Sequence, residues 1–249
     1  LNPCRVELLV SVRNCEEIAA ALAGGCDLLD FKEPENGALG MVDAESLQAI
    51  TVYCERHSIT QPLSMALGEL VDWRERSSMP RIPSAMKYLK LGLSETRELP
   101  DWKSCWRELT ERIETEHQRQ FDWIAVAYAD WELASAASPL EVLSAAIESR
   151  CAGLLIDTFH KQGLGLTDLL SLELLDELIQ RAHRHGLKVA LAGSIRLGDL
   201  EALSSLQPDI VGIRGAACTG NRRTSSIESS AVREFRMQLE EQFHCHPWG

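Results

Sequence analysis

No two of the eight cysteines stand in a CxxC pair. Cys4, Cys15, Cys26, Cys54, Cys105, Cys151, Cys218 and Cys245 are scattered along 249 residues. Several sit inside apolar runs, where cysteine behaves as a small hydrophobe. The pattern reads as a reduced, cytoplasmic chain and not as a disulfide scaffold. Basic residues are in deficit, 25 Lys and Arg against 37 Asp and Glu, for a formal net charge of −12. That disfavours a nucleic-acid partner, which calls for a basic face. A small anionic substrate stays open, because a pocket can be locally positive in an acidic protein. No apolar run approaches the roughly 18 residues of a membrane span, and no signal-peptide pattern is visible, so no membrane partner is expected. Linkers, low-complexity tracts and breaks in composition are missing too, which predicts one domain over residues 1–249.

What is there is an alternation. Apolar runs occur at Val6–Val12, Cys26–Lys32, Pro62–Leu67, Tyr88–Leu93, Asp122–Ala129, Cys151–Asp157, Leu187–Gly193 and Asp209–Gly215. Their near-continuous apolarity suits parallel strands buried on both faces. Helical segments lie between them. Asn14 with Glu17 reads as an N-cap pair, and Gly24-Gly25 as the stop. "SPLE" puts Ser138 and Glu141 in a capping box with Pro139 in the first turn. A helix is expected from Thr167 to Gly186, with Leu170, Leu174 and Leu178 on its apolar face and a basic last turn. The segment between Leu67 and Tyr88 holds two prolines and little helical period, so the third helix is expected to be short or irregular. Eight strand–helix units over about 250 residues predict an α/β fold, a (β/α)8 TIM barrel. A doubly wound open sheet is the alternative.

In such a barrel the chemistry sits at the C-terminal strand ends. Asp30 and Lys32 fall there on strand two, Lys90 on strand four, Tyr128 and Asp130 on strand five, and Asp157 with Lys161 on strand six. Lys32 alone reads equally well as a surface lysine with a snorkelling stem. Lys90, flanked by Leu89 and Leu91, is harder to place without a partner, because a buried lysine is costly. Two lysines near two aspartates suit Schiff-base chemistry. The attacking amine must be neutral, and a second ammonium nearby lowers its pKa by like-charge repulsion. The carboxylates then orient the lysines and carry protons. "AGS" and "GIRG" after strands seven and eight mark the usual phosphate site of a barrel. Gly193, Ser194, Gly212 and Gly215 would offer backbone N–H groups, and Arg214 a forked charge-assisted contact. Two ordinary tight turns would also explain these glycines. The tail residues His244, Cys245 and His246 are assigned no metal.

The motifs "LLVSV", "AGGCDLLDFKEPENGALG", "YLKLGL", "YAD", "LLIDTFHKQG", "LAGSI" and "DIVGIRGAACTG" occur in order between about Leu8 and Cys218. In this the chain resembles the (5-formylfuran-3-yl)methyl phosphate synthases. The resemblance implies a (β/α)8 lyase that condenses two molecules of glyceraldehyde 3-phosphate, with loss of phosphate and water. The product is an early furan precursor of methanofuran, a C1 carrier. It further implies that Lys32 is the Schiff-base lysine and Lys90 the proton acceptor. Asp30, Asp157 and Lys161 support them, and neither a metal nor an organic cofactor is needed. Two stretches depart from the family, "SSMPRIPSAMK" before "YLKLGL" and "WELASAAS" after "YAD". Both lie where the pocket rim or a homo-oligomer contact would be. The competing readings are another Schiff-base aldolase acting on phosphorylated sugars, and a catalytically retired barrel serving as a scaffold.

Overall fold

The computed structural model describes residues 5–74, 76, 78–161 and 163–243. The tail with His244, Cys245 and His246 lies outside them. Eight parallel strands close on themselves: β1 (Glu7–Val12), β2 (Leu28–Phe31), β3 (Leu63–Glu69), β4 (Met86–Gly92), β5 (Asp122–Tyr128), β6 (Gly153–Asp157), β7 (Lys188–Leu191) and β8 (Ile210–Ile213). β1 pairs with both β2 and β8, so the sheet has no edge and the open-sheet alternative is excluded.

The α-helices are α1 (Cys15–Gly24), α2 (Ala44–Arg56), α3 (Trp102–His117), α4 (Pro139–Glu148), α5 (Leu166–Leu169), α6 (Leu172–Arg184), α7 (Leu200–Leu203) and α8 (Ser229–Gln242). The local signals explain their ends. The Asn14 side chain accepts from Glu17 N, and Gly25 closes α1 in the left-handed region at φ 90°. Ser138 and Glu141 form a reciprocal capping box on α4. The helix expected from Thr167 to Gly186 is in fact two. Ser171 adopts an extended conformation and its Oγ accepts from Leu174 N, so it starts α6 and cuts off the single turn α5. The buried stripe of α6 runs through Leu175, Leu178, Ile179 and Ala182, and Leu174 lies at its margin. After β3 the described residues form only a 3-10 turn, Leu70–Trp73.

Strand alternation divides the core in two. Leu8, Val10, Leu29, Phe31, Leu89 and Leu91 point outward and pack beneath the helices. Leu28, Ala66, Val126, Leu155, Ala190 and Ile210 point into the barrel. Each buried large aliphatic side chain contributes about 1.5–3 kcal/mol of transfer free energy. Because side chains alternate with period two, Asp30 and Lys32 follow Leu28 inward, Lys90 follows Tyr88, and Asp157 follows Leu155. The apolar strands thus aim their few charged residues at one place. No helix among the described residues is long and apolar enough to cross a membrane.

Candidate active site

The C-terminal strand ends enclose a cavity of about 490 Å³. Ten of the twelve strand-end residues singled out in the sequence line it: Asp30, Lys32, Lys90, Asp157, Lys161, Gly193, Ser194, Gly212, Arg214 and Gly215. Six cationic side chains and three carboxylates face it, so the pocket is locally positive in a chain of charge −12.

Three lysines and two aspartates form its floor. They come from the even-numbered strands or the loop just after one. Lys90 Nζ lies 2.5 Å from Asp30 Oδ1, with both side chains almost fully buried. Ser11 Oγ donates to Asp30 Oδ2 at 3.1 Å and fixes the carboxylate. Lys161 Nζ donates to Asp157 Oδ1 at 2.5 Å and to Thr158 Oγ1 at 3.2 Å. Lys32 differs from both. Its nearest carboxylate oxygen is Asp157 Oδ2 at 3.9 Å, beyond hydrogen-bonding reach, although its side chain is only 8% exposed.

The charges respond accordingly. Burial brings the Lys32 pKa down to about 8; Asp157 opposes this, and Lys161 reinforces it more than Lys90 does. Burial is therefore the main cause, whereas the sequence suggested repulsion between Lys32 and Lys90. Burial also lowers Lys161, against the pull of Asp157. Burial would raise Asp157, yet Lys161 and Lys32 outweigh it and hold the carboxyl at about 2. Asp30 is lowered as well, because Lys90 and Lys32 overcome its desolvation.

The β7 and β8 ends form the opposite wall. Gly193 has φ 98°, and a Cβ there would lie 2.8 Å from Thr158 Cγ2. Only glycine fits, both for the left-handed backbone and for the close approach to the β6 end. Ser194 follows at φ 56°. The N–H groups of Gly193, Ser194, Gly215 and Ala216 have no protein acceptor among the described residues. That leaves four donors for an anion at two neighbouring strand ends.

Arg214 departs from expectation. Its guanidinium donates to Glu17 Oε2 at 2.5 Å and Glu17 Oε1 at 3.0 Å. Further bonds reach Ser11 O at 3.0 Å, Arg223 O at 2.8 Å and Ser225 O at 3.3 Å. All five donors are used within the protein, so the fork expected to hold phosphate is instead a buried clamp joining β8, α1 and β1. Tyr128 and Asp130 also turn away from the chemistry. Tyr128 OH donates to Glu69 Oε1 at 2.7 Å. Asp130 accepts from Phe159 N, His160 N and His160 Nδ1, bracing the loop after β6.

Sequence reasoning passed over Ser11, Glu17, Thr158 and Arg223. Glu17 was visible only as a helix-cap partner, and Arg223 sits in "NRRTSS", which carries no motif.

The arrangement supplies a buried lysine with a lowered pKa, a buried Lys90–Asp30 ion pair in the same cavity, and an anion cradle. Comparison with known proteins places the chain in a family. A family model described as 4-HFC-P synthase matches residues 8–236. The (5-formylfuran-3-yl)methyl phosphate synthase of Methanothermobacter thermautotrophicus is 34% identical over 240 residues, covering 94% of this chain and 98% of that protein. The protein of the same name from Methanocaldococcus jannaschii is 31% identical over 233 residues, covering 92% and 97%. Among solved structures, 3-hexulose-6-phosphate synthase from Salmonella typhimurium superposes with a TM-score of 0.59 at 13% identity, over 95% of this chain and all of that one. Phosphoribosylanthranilate isomerase from Thermotoga maritima gives 0.57 at 14% identity, over 94% and 98%. At that identity the two structures speak for the fold alone.

Proposed function

Since the chain belongs to the 4-HFC-P synthase family, we propose that it is a cytoplasmic lyase that joins two molecules of glyceraldehyde 3-phosphate into (5-formylfuran-3-yl)methyl phosphate, in the making of a methanofuran-type carrier. The two formulas balance with the loss of one phosphate and two waters. Its partner is thus a small phosphorylated aldehyde and not nucleic acid. Lys32 carries this reading: it is buried, lacks a hydrogen-bonded partner among the described residues, and has its pKa lowered to about 8. An amine of that kind attacks aldehydes near neutral pH.

In this mechanism neutral Lys32 adds to the aldehyde carbon of one triose, and water leaves as the imine forms. A proton then departs from the neighbouring carbon. The electron pair it leaves expels the phosphate ester one carbon further on, the C–O bond breaking with its electrons going to phosphate. Lys90 and Asp30, 2.5 Å apart, take that proton as amine and carboxylate and return one as ammonium. The electron-poor three-carbon fragment then accepts, at the carbon that lost phosphate, a carbon–carbon bond from the carbon next to the second triose's aldehyde, whose C–H bond breaks as its proton leaves to supply the electron pair. A hydroxyl closes the ring on the remaining aldehyde, dehydration makes the furan, and hydrolysis of the imine frees Lys32. Asp157 and Lys161 set the charge around the imine, and the β7–β8 cradle holds a phosphate.

Product analysis with glyceraldehyde 3-phosphate as sole substrate tests this reading, together with mass spectrometry after borohydride. The expected result is the furan aldehyde phosphate and a reduced adduct on Lys32. A sugar phosphate in place of the furan would make the protein an aldolase. An adduct mapping to another lysine would remove Lys32 from its role.

A further inference from the structure

With Arg214 fully committed, the phosphate cradle lacks the guanidinium that the sequence assigned to it. We propose that Arg223 is that guanidinium: it clamps the phosphate of the triose bound at Lys32 against the free N–H groups of β7 and β8.

The structure supports this through three separate observations. Arg223 lines the cavity that contains Lys32, Lys161, Gly193 and Gly215. Its side chain makes one hydrogen bond among the described residues, from Nη2 to Gly37 O at 2.8 Å. The remaining donors of a half-buried guanidinium therefore have no acceptor among the described residues. Unlike Arg214, it retains the fork geometry that fits a phosphate monoester. Lastly, its backbone is held from below. Arg214 Nε donates to Arg223 O, and Arg214 Nη2 reaches Ser225 O. The buried arginine that binds no ligand fixes the loop carrying the one that does.

The neighbouring groups fit an anion. Asp157 and Glu33 attract Arg223, whereas Arg214 repels it. Asp157 is already paired with Lys161, which leaves the guanidinium short of a close counter-ion. A dianionic phosphate between Arg223 and the N–H groups supplies it. The bond to Gly37 adds a second consequence. Gly37 belongs to the loop that follows Lys32, so Arg223 ties the phosphate-binding side of the mouth to the side carrying the reacting amine. The triose whose phosphate it grips is then the one that forms the imine. This assignment rests on the reaction proposed above for its choice of substrate, but not for its claim that phosphate binds here.

The test is titration calorimetry with sn-glycerol 3-phosphate, an unreactive phosphate ester, and with inorganic phosphate. Both are titrated at fixed ionic strength into the wild-type protein and into Arg223→Ala, Arg223→Lys and Arg223→Gln. Charge-assisted hydrogen bonds of this kind correspond to about tenfold or more in affinity. Arg223→Ala should bind the ester at least about tenfold more weakly, with Arg223→Lys intermediate. Equal loss for free phosphate would mark the subsite as one for any phosphate, and a loss confined to the ester as one for the bound triose; either outcome supports the clamp. In borohydride trapping, the preference for glyceraldehyde 3-phosphate over glyceraldehyde should fall by a similar factor, and the KM for the phosphorylated substrate should rise more than kcat falls.

If Arg223→Ala disturbs the loop, Arg223→Gln keeps a donor for Gly37 O and carries the comparison. A folded variant that binds the ester within twofold of wild type and retains the trapping preference overturns the assignment. The two proposals fail differently. Furan formation with Arg223-independent binding would remove Arg223 and leave the reaction standing. Arg223-dependent binding without furan would leave the subsite and remove the reaction.

Discussion

Replacing Asp157 with asparagine and Lys161 with methionine should move the titration of Lys32 in opposite directions. At a pKa of about 8, roughly a tenth of Lys32 is neutral at pH 7. An ordinary lysine near 10.4 is neutral there in only a few parts in ten thousand. The site thus raises the reactive fraction by about two hundredfold or more. The cost appears as stability. The drop from 10.5 to about 8 is worth roughly 3 kcal/mol at about 1.4 kcal/mol for each unit. The unfolded chain holds this proton more tightly than the folded one. The penalty is therefore full below pH 8, and stability rises with pH between about 8 and the unfolded value near 10.4. Asp157 lies 3.9 Å from Lys32 Nζ and supports the ammonium. At an effective dielectric constant of 20 a pair at that distance is worth about 4 kcal/mol, close to three pKa units, before relaxation. Asp157→Asn should lower the Lys32 midpoint by at least about one unit. Lys161→Met removes a like charge and should raise it. The assay is the rate of reductive trapping with glyceraldehyde 3-phosphate from pH 5.5 to 10, normalised to a free lysine derivative. A wild-type midpoint near 10, or two variants shifting the same way, would refute the electrostatic account.

Three further outcomes are expected. Lys90→Arg keeps the charge beside Asp30 but removes a usable base; it should fold, still form the Lys32 adduct, and lose turnover by about a hundredfold or more, measured under steady-state conditions. Glu17→Gln leaves the buried Arg214 guanidinium without its counter-ion and should lower unfolding free energy by about 3–5 kcal/mol in urea titrations. Gly193→Ala forces a Cβ to within 2.8 Å of Thr158 Cγ2 at φ 98°; calorimetry should show weakened glycerol 3-phosphate binding together with a destabilisation of about 1–3 kcal/mol.

The barrel is legible in the sequence because its signals are local. Eight apolar runs, each closed by a turn or a cap, leave little choice of topology once the sheet must bury both faces. The lysines and aspartates are legible for the same reason, since a charge at the end of an apolar run has few comfortable places to go. What is hidden depends on partners far apart in the chain. Arg214 looks like a phosphate fork beside its glycines, and its partners, Glu17 and Ser11 far along the chain and the carbonyls of Arg223 and Ser225, show that it is occupied. Ser171 looks like a helix-interior residue until its side chain is seen to cap Leu174 N. Arg223 has no motif at all, because its meaning comes from the loop that Arg214 fixes. A lowered lysine pKa is legible, but its main cause, burial, is not, because spacing does not reveal it.

Lys32 leaves the ribosome early, whereas Asp157 and Lys161 follow more than a hundred residues later, and the strand β8 that seals β1 later still. During synthesis the amine is therefore solvated and protonated, indistinguishable from any other lysine. Its lowered pKa appears only when the ring closes around it, and is lost again whenever a copy unfolds. Under the proposed reaction, trioses would meet this nucleophile only inside finished molecules, and nascent chains and damaged copies would be spared from gathering sugar adducts at Lys32.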